Sequence, residues 1–347
     1  MSRTILISRT DAIGDVVLTL PVAGRLKQLF PGCRVLLLGR NYTRAVAEAC
    51  SWLDDFVSLD ELQQLPPNQQ VAALRTVGAD TILHIFPNKD LARLALLAGI
   101  KVRIGTRNRW FHWLTCNRLV KLSRKNSELH ESQLNLALLA PLHEPAPLPL
   151  PEVAPLVQLM PTVPLRPDLR ELLAARGPGQ LNIVLHPRSR GSAREWGLPH
   201  FGELARLLHE AGHRVFVTGT TAEGEELREW LTTNQPYIEA ELTGQLALPE
   251  FITFLAAADG LVAGSTGPLH LAAALGRHAL GLYPPIRPMH PGRWAPLGSH
   301  ADYLVFDRPN CQDCRTKPAA CICIKALEPA LVLARVQQWK LLPPTGL

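Results

Sequence analysis

At 347 residues the chain is long for one domain and comfortable for two. Its 47% apolar content excludes a disordered chain, and a formal charge of +6 points to an acidic ligand or surface. No basic run is dense enough for a nucleic-acid tail, and no stretch approaches the roughly 18 to 20 apolar residues of a spanning helix.

The opening MSRTILISRT lacks a long apolar core and a small-residue cleavage site, so it reads as a first strand rather than a leader. The expected location is cytoplasmic, with a position resting on a membrane left open, and cysteines there are reduced. Thr4 to Ser8 is that strand, and the turn Arg9 to Gly14 leads into a helix starting near Asp15. Strands follow at Arg34–Leu38, Asp80–Ile85 and Lys101–Ile104, with helices at Tyr42–Cys50 and Lys89–Ala98. Alternation of this kind predicts a doubly wound parallel sheet.

Between about 141 and 167 proline recurs every few residues, which no continuous helix survives. This stretch reads as an extended linker with a strand near Leu156 to Leu159, and it divides the chain into domains 1–165 and 166–347. A helix at Asp168–Arg176 then opens a second α/β series. Its strands are Asn182–His186, Arg214–Thr218, Leu261–Ala263 and His278–Tyr283. Its helices are Pro199–Ala211, Ala222–Thr232, Pro249–Ala258 and a closing Leu327–Trp339.

The most informative stretch is GSTGPLHLAAALG, Gly264 to Gly276. An apolar strand runs into a polar turn, and Pro268 suits the first helical position, where a missing N–H costs nothing. Such a helix start aims unpaired N–H groups and its positive dipole end above the sheet, which suits a phosphate. Ser265, Thr266 and His270 could add donors there; the plain alternative is a capped helix with a packed histidine. The turn HPRSRGSAREW carries Arg188, Ser189 and Arg194, whose forked guanidiniums suit diphosphate oxygens or merely face water. Glu223, near a helix start, suits ribose hydroxyls or helix-end electrostatics. Asp15, at the mouth of the first helix, is either a helix-end charge or a general base. There is no G-x-G-x-x-G, no P-loop lysine, no G-x-S-x-G and no H-E-x-x-H.

Four of the seven cysteines, Cys311, Cys314, Cys321 and Cys323, form C-x2-C-x6-C-x-C. The spacing leaves open a zinc or iron site, bystander thiols, or disulfides. Arg107 to Lys125 mixes basic residues with Trp110, Phe111 and Trp113, a composition for an anionic membrane interface or for a packed amphipathic helix.

Taken together, RTDAIGDVVLTLP, AGIKVRIGTRNR, HESQLNLALLAPL, HPRSRGSAREW, TGTTAEGEEL, LTGQLALPEF and GSTGPLHLAAALG resemble the glycosyltransferase family 9 heptosyltransferases in order and spacing. The resemblance implies a GT-B fold, two Rossmann-like domains facing a cleft, the first binding acceptor and the second nucleotide sugar. Asp15 matches the family's catalytic aspartate. Arg194 stands where a lysine usually meets the donor diphosphate, Glu223 matches the ribose acid, and Leu246 lies where backbone meets adenine. Thr266, Gly267 and His270 match the donor turn, with Arg188 and Ser189 beside it. Ser265 replaces an aspartate that touches the donor sugar in many members. Arg9, Arg107, Arg109 and His130 fall in the matching first-domain motifs and are assigned to the acceptor. The implied reaction is inverting transfer of heptose from ADP-L-glycero-D-manno-heptose to a sugar hydroxyl of the lipopolysaccharide inner core, with no cofactor required. Some members carry C-terminal cysteines, occasionally with iron. A GT-B enzyme for another nucleotide sugar, and a catalytically silent nucleotide- or carbohydrate-binding protein, are the alternatives.

Overall fold

The runs TILIS, VLLL and NIVLH are apolar on both faces, and strands of that kind are stable only between two layers of helices. In the computed structural model, which describes residues 3–124, 127–142, 148–309, 311–317 and 321–343, they form the middles of two all-parallel sheets. The chain divides into units Met1–Leu159 and Met160–Leu347.

The first unit contains β1 (Thr4–Ser8), β2 (Arg34–Gly39), β3 (Asp55–Ser58), β4 (Thr81–His84), β5 (Val102–Thr106) and β6 (Arg118–Val120), in the order β3-β2-β1-β4-β5-β6. Ser8 at the end of β1 sits opposite Leu38 on one side and His84 on the other. Its helices include α1 (Ile13–Val17), α2 (Leu20–Leu29), α3 (Lys89–Leu97), α4 (Trp110–Thr115) and α5 (Glu131–Leu136). Leu6, Leu36, Leu38, Ile82, Leu91 and Ala95 form a buried core on one face of this sheet.

The second unit repeats the plan. Its strands β7 (Asn182–His186), β8 (Arg214–Val217), β9 (Ala240–Glu241), β10 (Gly260–Gly264), β11 (His278–Tyr283) and β12 (Ala301–Val305) run β12-β11-β10-β7-β8-β9. Renumbered from its own first strand, this is the order of the first unit. Helices α6 (Leu198–Glu210), α7 (Thr221–Asn234), α8 (Gly267–Ala274), α9 (Ile322–Lys325) and α10 (Pro329–Val336) pack around it. In a sheet of this order the connections leave in opposite directions from the first and fourth strands, and the gap between them at the carboxyl ends is the ligand crevice. That singles out the turns after β1 and β4, and after β7 and β10.

Departures from the sequence expectations have local causes. The helix expected from Asp15 is two helices, because Pro21 has no N–H to continue the ladder and the Thr19 hydroxyl instead donates to the Asp15 carbonyl at 2.8 Å. The strand expected near Leu156–Leu159 is a single antiparallel bridge from Leu159 to Cys50, preceded by short helical turns at Leu150–Val153 and Ala154–Leu156. Residues 143–147 of the expected linker lie outside the described residues. Strands β3, β6, β9 and β12 were not expected; they are edge or near-edge strands carrying Asp55, Arg118, Glu241 and Asp302, without a buried apolar run.

Candidate functional site

Two clusters lie at the two crevice positions, one per unit. In the second unit β10 ends at Gly264 and α8 begins at Gly267. Thr266 caps α8 in extended backbone, yet its side chain makes no capping bond, and its buried Oγ1 has no partner. A buried hydroxyl left unbonded at a helix start is costly unless a ligand completes it. His270, in the first turn of α8, is buried as well. Ser265 is hydrogen-bonded to Tyr283, whose hydroxyl donates to the Trp294 carbonyl. Ser265 is therefore tied to β11.

The turn after β7 is shaped by Glu195. Its carboxylate accepts from the Ser189 N–H and hydroxyl, each at 3.2 Å, and pairs with Arg188 at 2.9 Å. Arg188 also reaches Glu226 at 3.4 Å, so two carboxylates already share its charge. Arg190 (φ 49°) and Gly191 (φ 79°) take the chain through the left-handed region. Arg194 is different: it is 8% exposed, has no carboxylate among its described ion pairs, and donates from Nη2 to the Cys314 carbonyl at 3.1 Å. Its buried Nε has no partner. Ala193 and the Arg194 main chain pass beside Gly264, so this turn borders the end of β10.

Glu223 is buried in the first turn of α7. Its carboxylate accepts from the Thr220 N–H (2.7 Å) and hydroxyl (2.9 Å), while the Glu223 N–H donates back to Thr220, which completes a capping box. That pair is legible in the T-x-x-E spacing of Thr220-Thr221-Ala222-Glu223. His186 at the end of β7 touches the Thr218 hydroxyl at 3.1 Å, and burial lowers its pKa to about 4 against the pull of Glu223, so it is neutral near pH 7. Leu246 is half-buried in the loop before the helix Leu248–Ala257.

In the first unit the turn after β1 is organised by Arg9. This guanidinium is 3% exposed and pairs with Asp11 (2.6 Å), Asp15 and Glu131 (3.2 Å). Arg124 joins from the far side, bonding Glu131 at 3.0 Å and Asn135 at 2.9 Å. Glu131 and Asn135, four apart, lie on one face of α5, and both are fully buried. Neither was singled out from sequence; buried acid and amide side chains within HESQLNL are the available signal. Burial pushes the Asp11 carboxyl up to about 6, with Arg9 opposing the rise and Asp15 adding to it. Asp15 sits in the first turn of α1 with its side chain about one-fifth exposed. Arg9 thus holds the carboxylate in place rather than presenting itself to solvent.

The other residues assigned to the acceptor make no described bond to Arg9. His130 is 1% exposed and caps α5, accepting from the Ser132 N–H at 3.2 Å. Arg107 and Arg109 are exposed, and the Arg107 guanidinium lies over the Trp113 ring at 5.3 Å. Trp110, Trp113 and Leu114 on α4 are 65%, 54% and 71% exposed, next to α3 with Leu97 at 52%. Lys125, the last residue of that basic stretch, lies outside the described residues. None of the described helices is long and apolar enough to cross a membrane.

The four clustered cysteines are free thiols buried in the core of the second unit. Cys311 and Cys323 bring their sulfurs to 3.7 Å, and Cys314 bonds Cys321. The thiols are hydrogen-bonded in two pairs, and among the described residues no group of three or more histidines, cysteines or acids is placed to hold a metal ion.

Two doubly wound parallel sheets of identical strand order give this chain the GT-B fold. The chain belongs to Glycosyltransferase family 9 (heptosyltransferase), whose profile matches residues 71–324. A Haemophilus influenzae protein described as a glycosyltransferase is 28% identical over 310 residues, covering 88% of this chain and 89% of its own. The structure of Escherichia coli ADP-heptose LPS heptosyltransferase II superposes with a TM-score of 0.73 at 19% identity, covering 96% of this chain and 97% of the other. The iron-containing dodecameric glycosyltransferase TibC of enterotoxigenic E. coli superposes with a TM-score of 0.56 at 17% identity, covering 97% of this chain and 78% of that one.

Proposed function

We propose that the protein transfers heptose, with inversion, from ADP-L-glycero-D-manno-heptose to a sugar hydroxyl of the lipopolysaccharide inner core. The observation that carries the donor half is that two turns at the carboxyl edge of this sheet each hold a buried polar atom without a partner, the Thr266 hydroxyl and Arg194 Nε. Neutral protein groups do not complete either one; a diphosphate does. Glu223, with Oε2 used in its cap, has its second oxygen for a ribose hydroxyl, and Leu246 lies on the adenine side. Arg188, Ser189, Ser265, Gly267 and His270 complete this donor site.

In this reaction the anomeric bond breaks through an oxocarbenium-like state as the acceptor oxygen attacks from the opposite face. Asp15 accepts the acceptor hydroxyl proton late, once bond formation has made it acidic. The start of α8 and Arg194 stabilise the charge that grows on ADP. That chemistry needs no cofactor. The acceptor domain is the first unit, with Arg9 positioning Asp15, and Arg107, Arg109 and His130 on the acceptor side. The exposed aromatic and basic surface of α3 and α4 suits an anionic inner-membrane face of the cytoplasm.

One observation favours a second reading of the donor. Ser265, held by Tyr283, cannot supply a charge to a sugar hydroxyl, so another nucleotide sugar is the alternative. Thermal shift with ADP, UDP, GDP and ADP-heptose, followed by product analysis with each active donor, separates the two. At 100 times its dissociation constant the cognate ligand stabilises by about 2.7 kcal/mol. UDP or GDP outperforming ADP would reject the ADP-heptose assignment, and ADP binding without turnover on any donor would reject transfer altogether.

A further inference from the structure

The turn that carries Arg194 is fastened to the C-terminal segment by two buried bonds. Arg194 Nη2 donates to the Cys314 carbonyl at 3.1 Å, and Trp196 Nε1 donates to the Leu327 carbonyl at 2.7 Å. Between those two acceptors lie Cys321 and Cys323. The segment has little regular structure of its own: among its described residues only α9, of four residues, is helical. Its shape is set by side chains instead. Cys311 and Cys323 meet at 3.7 Å, Cys314 bonds Cys321, and Arg308 reaches the Cys323 sulfur at 3.7 Å from the outside. All four thiols are 2% to 7% exposed and share one apolar cluster with Trp196, Ile324 and Leu327.

A guanidinium is planar, so fixing one edge fixes the direction of the others. The Cys314 carbonyl grips Nη2, and Nε is left buried without a partner. We propose that the four-cysteine segment is a positioning element for Arg194: its paired thiols hold the Cys314 carbonyl where it aims the guanidinium at the nucleotide diphosphate. Cys311, Cys314, Cys321 and Cys323 are then positioning residues, not catalytic ones. The proposal rests on the reading of Arg194 as a donor-diphosphate ligand. It also gives the cluster a task toward the donor site that does not depend on a metal.

The test is a double-mutant cycle on ADP affinity, measured by titration calorimetry below the melting temperature of every variant. Arg194→Ala weakens ADP by roughly 10- to 100-fold, the range of a charge-assisted bond. The pairs Cys311→Ser with Cys323→Ser, and Cys314→Ser with Cys321→Ser, each weaken ADP by about 3- to 10-fold in the wild-type background and not further in the Arg194→Ala background. A merely structural role lowers the melting temperature in both backgrounds without that coupling. If a serine pair does not fold, Cys314→Ala, which keeps the carbonyl and removes only the sulfur, takes its place. Equal losses in both backgrounds, or none in the wild type while Arg194→Ala still weakens ADP, overturn the positioning role and leave Arg194 as a ligand. An Arg194→Ala enzyme with unchanged ADP affinity overturns the reading of Arg194 itself.

Discussion

The sharpest prediction contrasts Asp15→Asn with Asp11→Asn. Both carboxylates bond Arg9, and their side chains are similarly exposed, 20% and 23%, so burial does not choose between them. Position and protonation do. Asp15 lies in the first turn of α1, within the motif matched to the family's catalytic aspartate, whereas Asp11 lies in the turn before it and its pKa is raised to about 6. Replacing Asp15 removes one of three carboxylates, Asp11, Asp15 and Glu131, that share Arg9 and Arg124. The guanidinium of Arg9 keeps Asp11 and Glu131, so no buried charge is stranded and the melting temperature moves by no more than about 4 °C, equivalent to about 1 kcal/mol. General-base catalysis contributes about 10² to 10⁴ in rate, and kcat falls by that factor. Asp11→Asn keeps kcat within about tenfold and removes any inflection near pH 6 from the rate profile, since that is where Asp11 titrates. The assay is ADP release at saturating donor and acceptor, from pH 5 to 9, with product linkage checked. An Asp15→Asn enzyme with more than about a tenth of wild-type kcat would falsify the assignment, as would Asp11→Asn being the more damaging change.

Stability and surface chemistry supply three further tests. Arg9→Ala removes the cation that Asp11, Asp15 and Glu131 share and should destabilise by about 3 to 5 kcal/mol in denaturant titration; a loss under about 1 kcal/mol contradicts the network. Asp11 is an acid whose folded pKa, about 6, lies above its ordinary 3.8, so its contribution favours the fold in acid and is lost as pH rises from about 4 to 6. Asp11→Asn should therefore flatten the melting-temperature profile across that window, and an unchanged profile assigns the slope to another group. Trp110→Ala with Trp113→Ala should reduce sedimentation with anionic vesicles, and wild-type binding should fall as salt rises. Binding that is indifferent to the two tryptophans removes α4 from the membrane face.

The fold was legible wherever burial is two-sided. NIVLH and HALGLY were placed to the residue, because a continuous apolar run bounded by turn residues has few alternatives. What escaped was the perimeter: β3, β6, β9 and β12 carry charge and too little apolar signal to stand out from loops. At the candidate site the backbone signal was plain, since strand, turn and Pro268 define the α8 start by themselves. Side-chain partnership was not. His130 and Glu131 are adjacent in sequence, and only the helix direction shows one capping α5 and the other buried against Arg9. Arg188 and Arg194 are six apart in one basic turn and each has a buried Nε without a partner, yet Arg188 is paired with two glutamates while Arg194 has no carboxylate among its described ion pairs. Composition alone weights them equally.

That asymmetry bears on how the enzyme separates structural charge from working charge. Each unit holds one arginine deep at its crevice, and the two are used in opposite ways. Arg9 is saturated: its guanidinium is occupied by Asp11, Asp15, Glu131 and Asn135, so it fixes a carboxylate and has little capacity for an incoming anion. Arg194 meets a neutral carbonyl, which orients it without spending its charge. A carboxylate in the place of the Cys314 carbonyl would compete with a phosphate for the same cation, at a cost comparable to the bond it is meant to form. If Arg194 binds phosphate as proposed, holding it by a main-chain carbonyl requires that the carbonyl itself be fixed, and the buried sulfurs of the Cys-rich segment are the groups proposed to do so. On the proposed reading the Cys-rich segment and Arg194 are two parts of one arrangement: a planar group needs an orienting partner, and a lysine, a point charge on a flexible stem, would not.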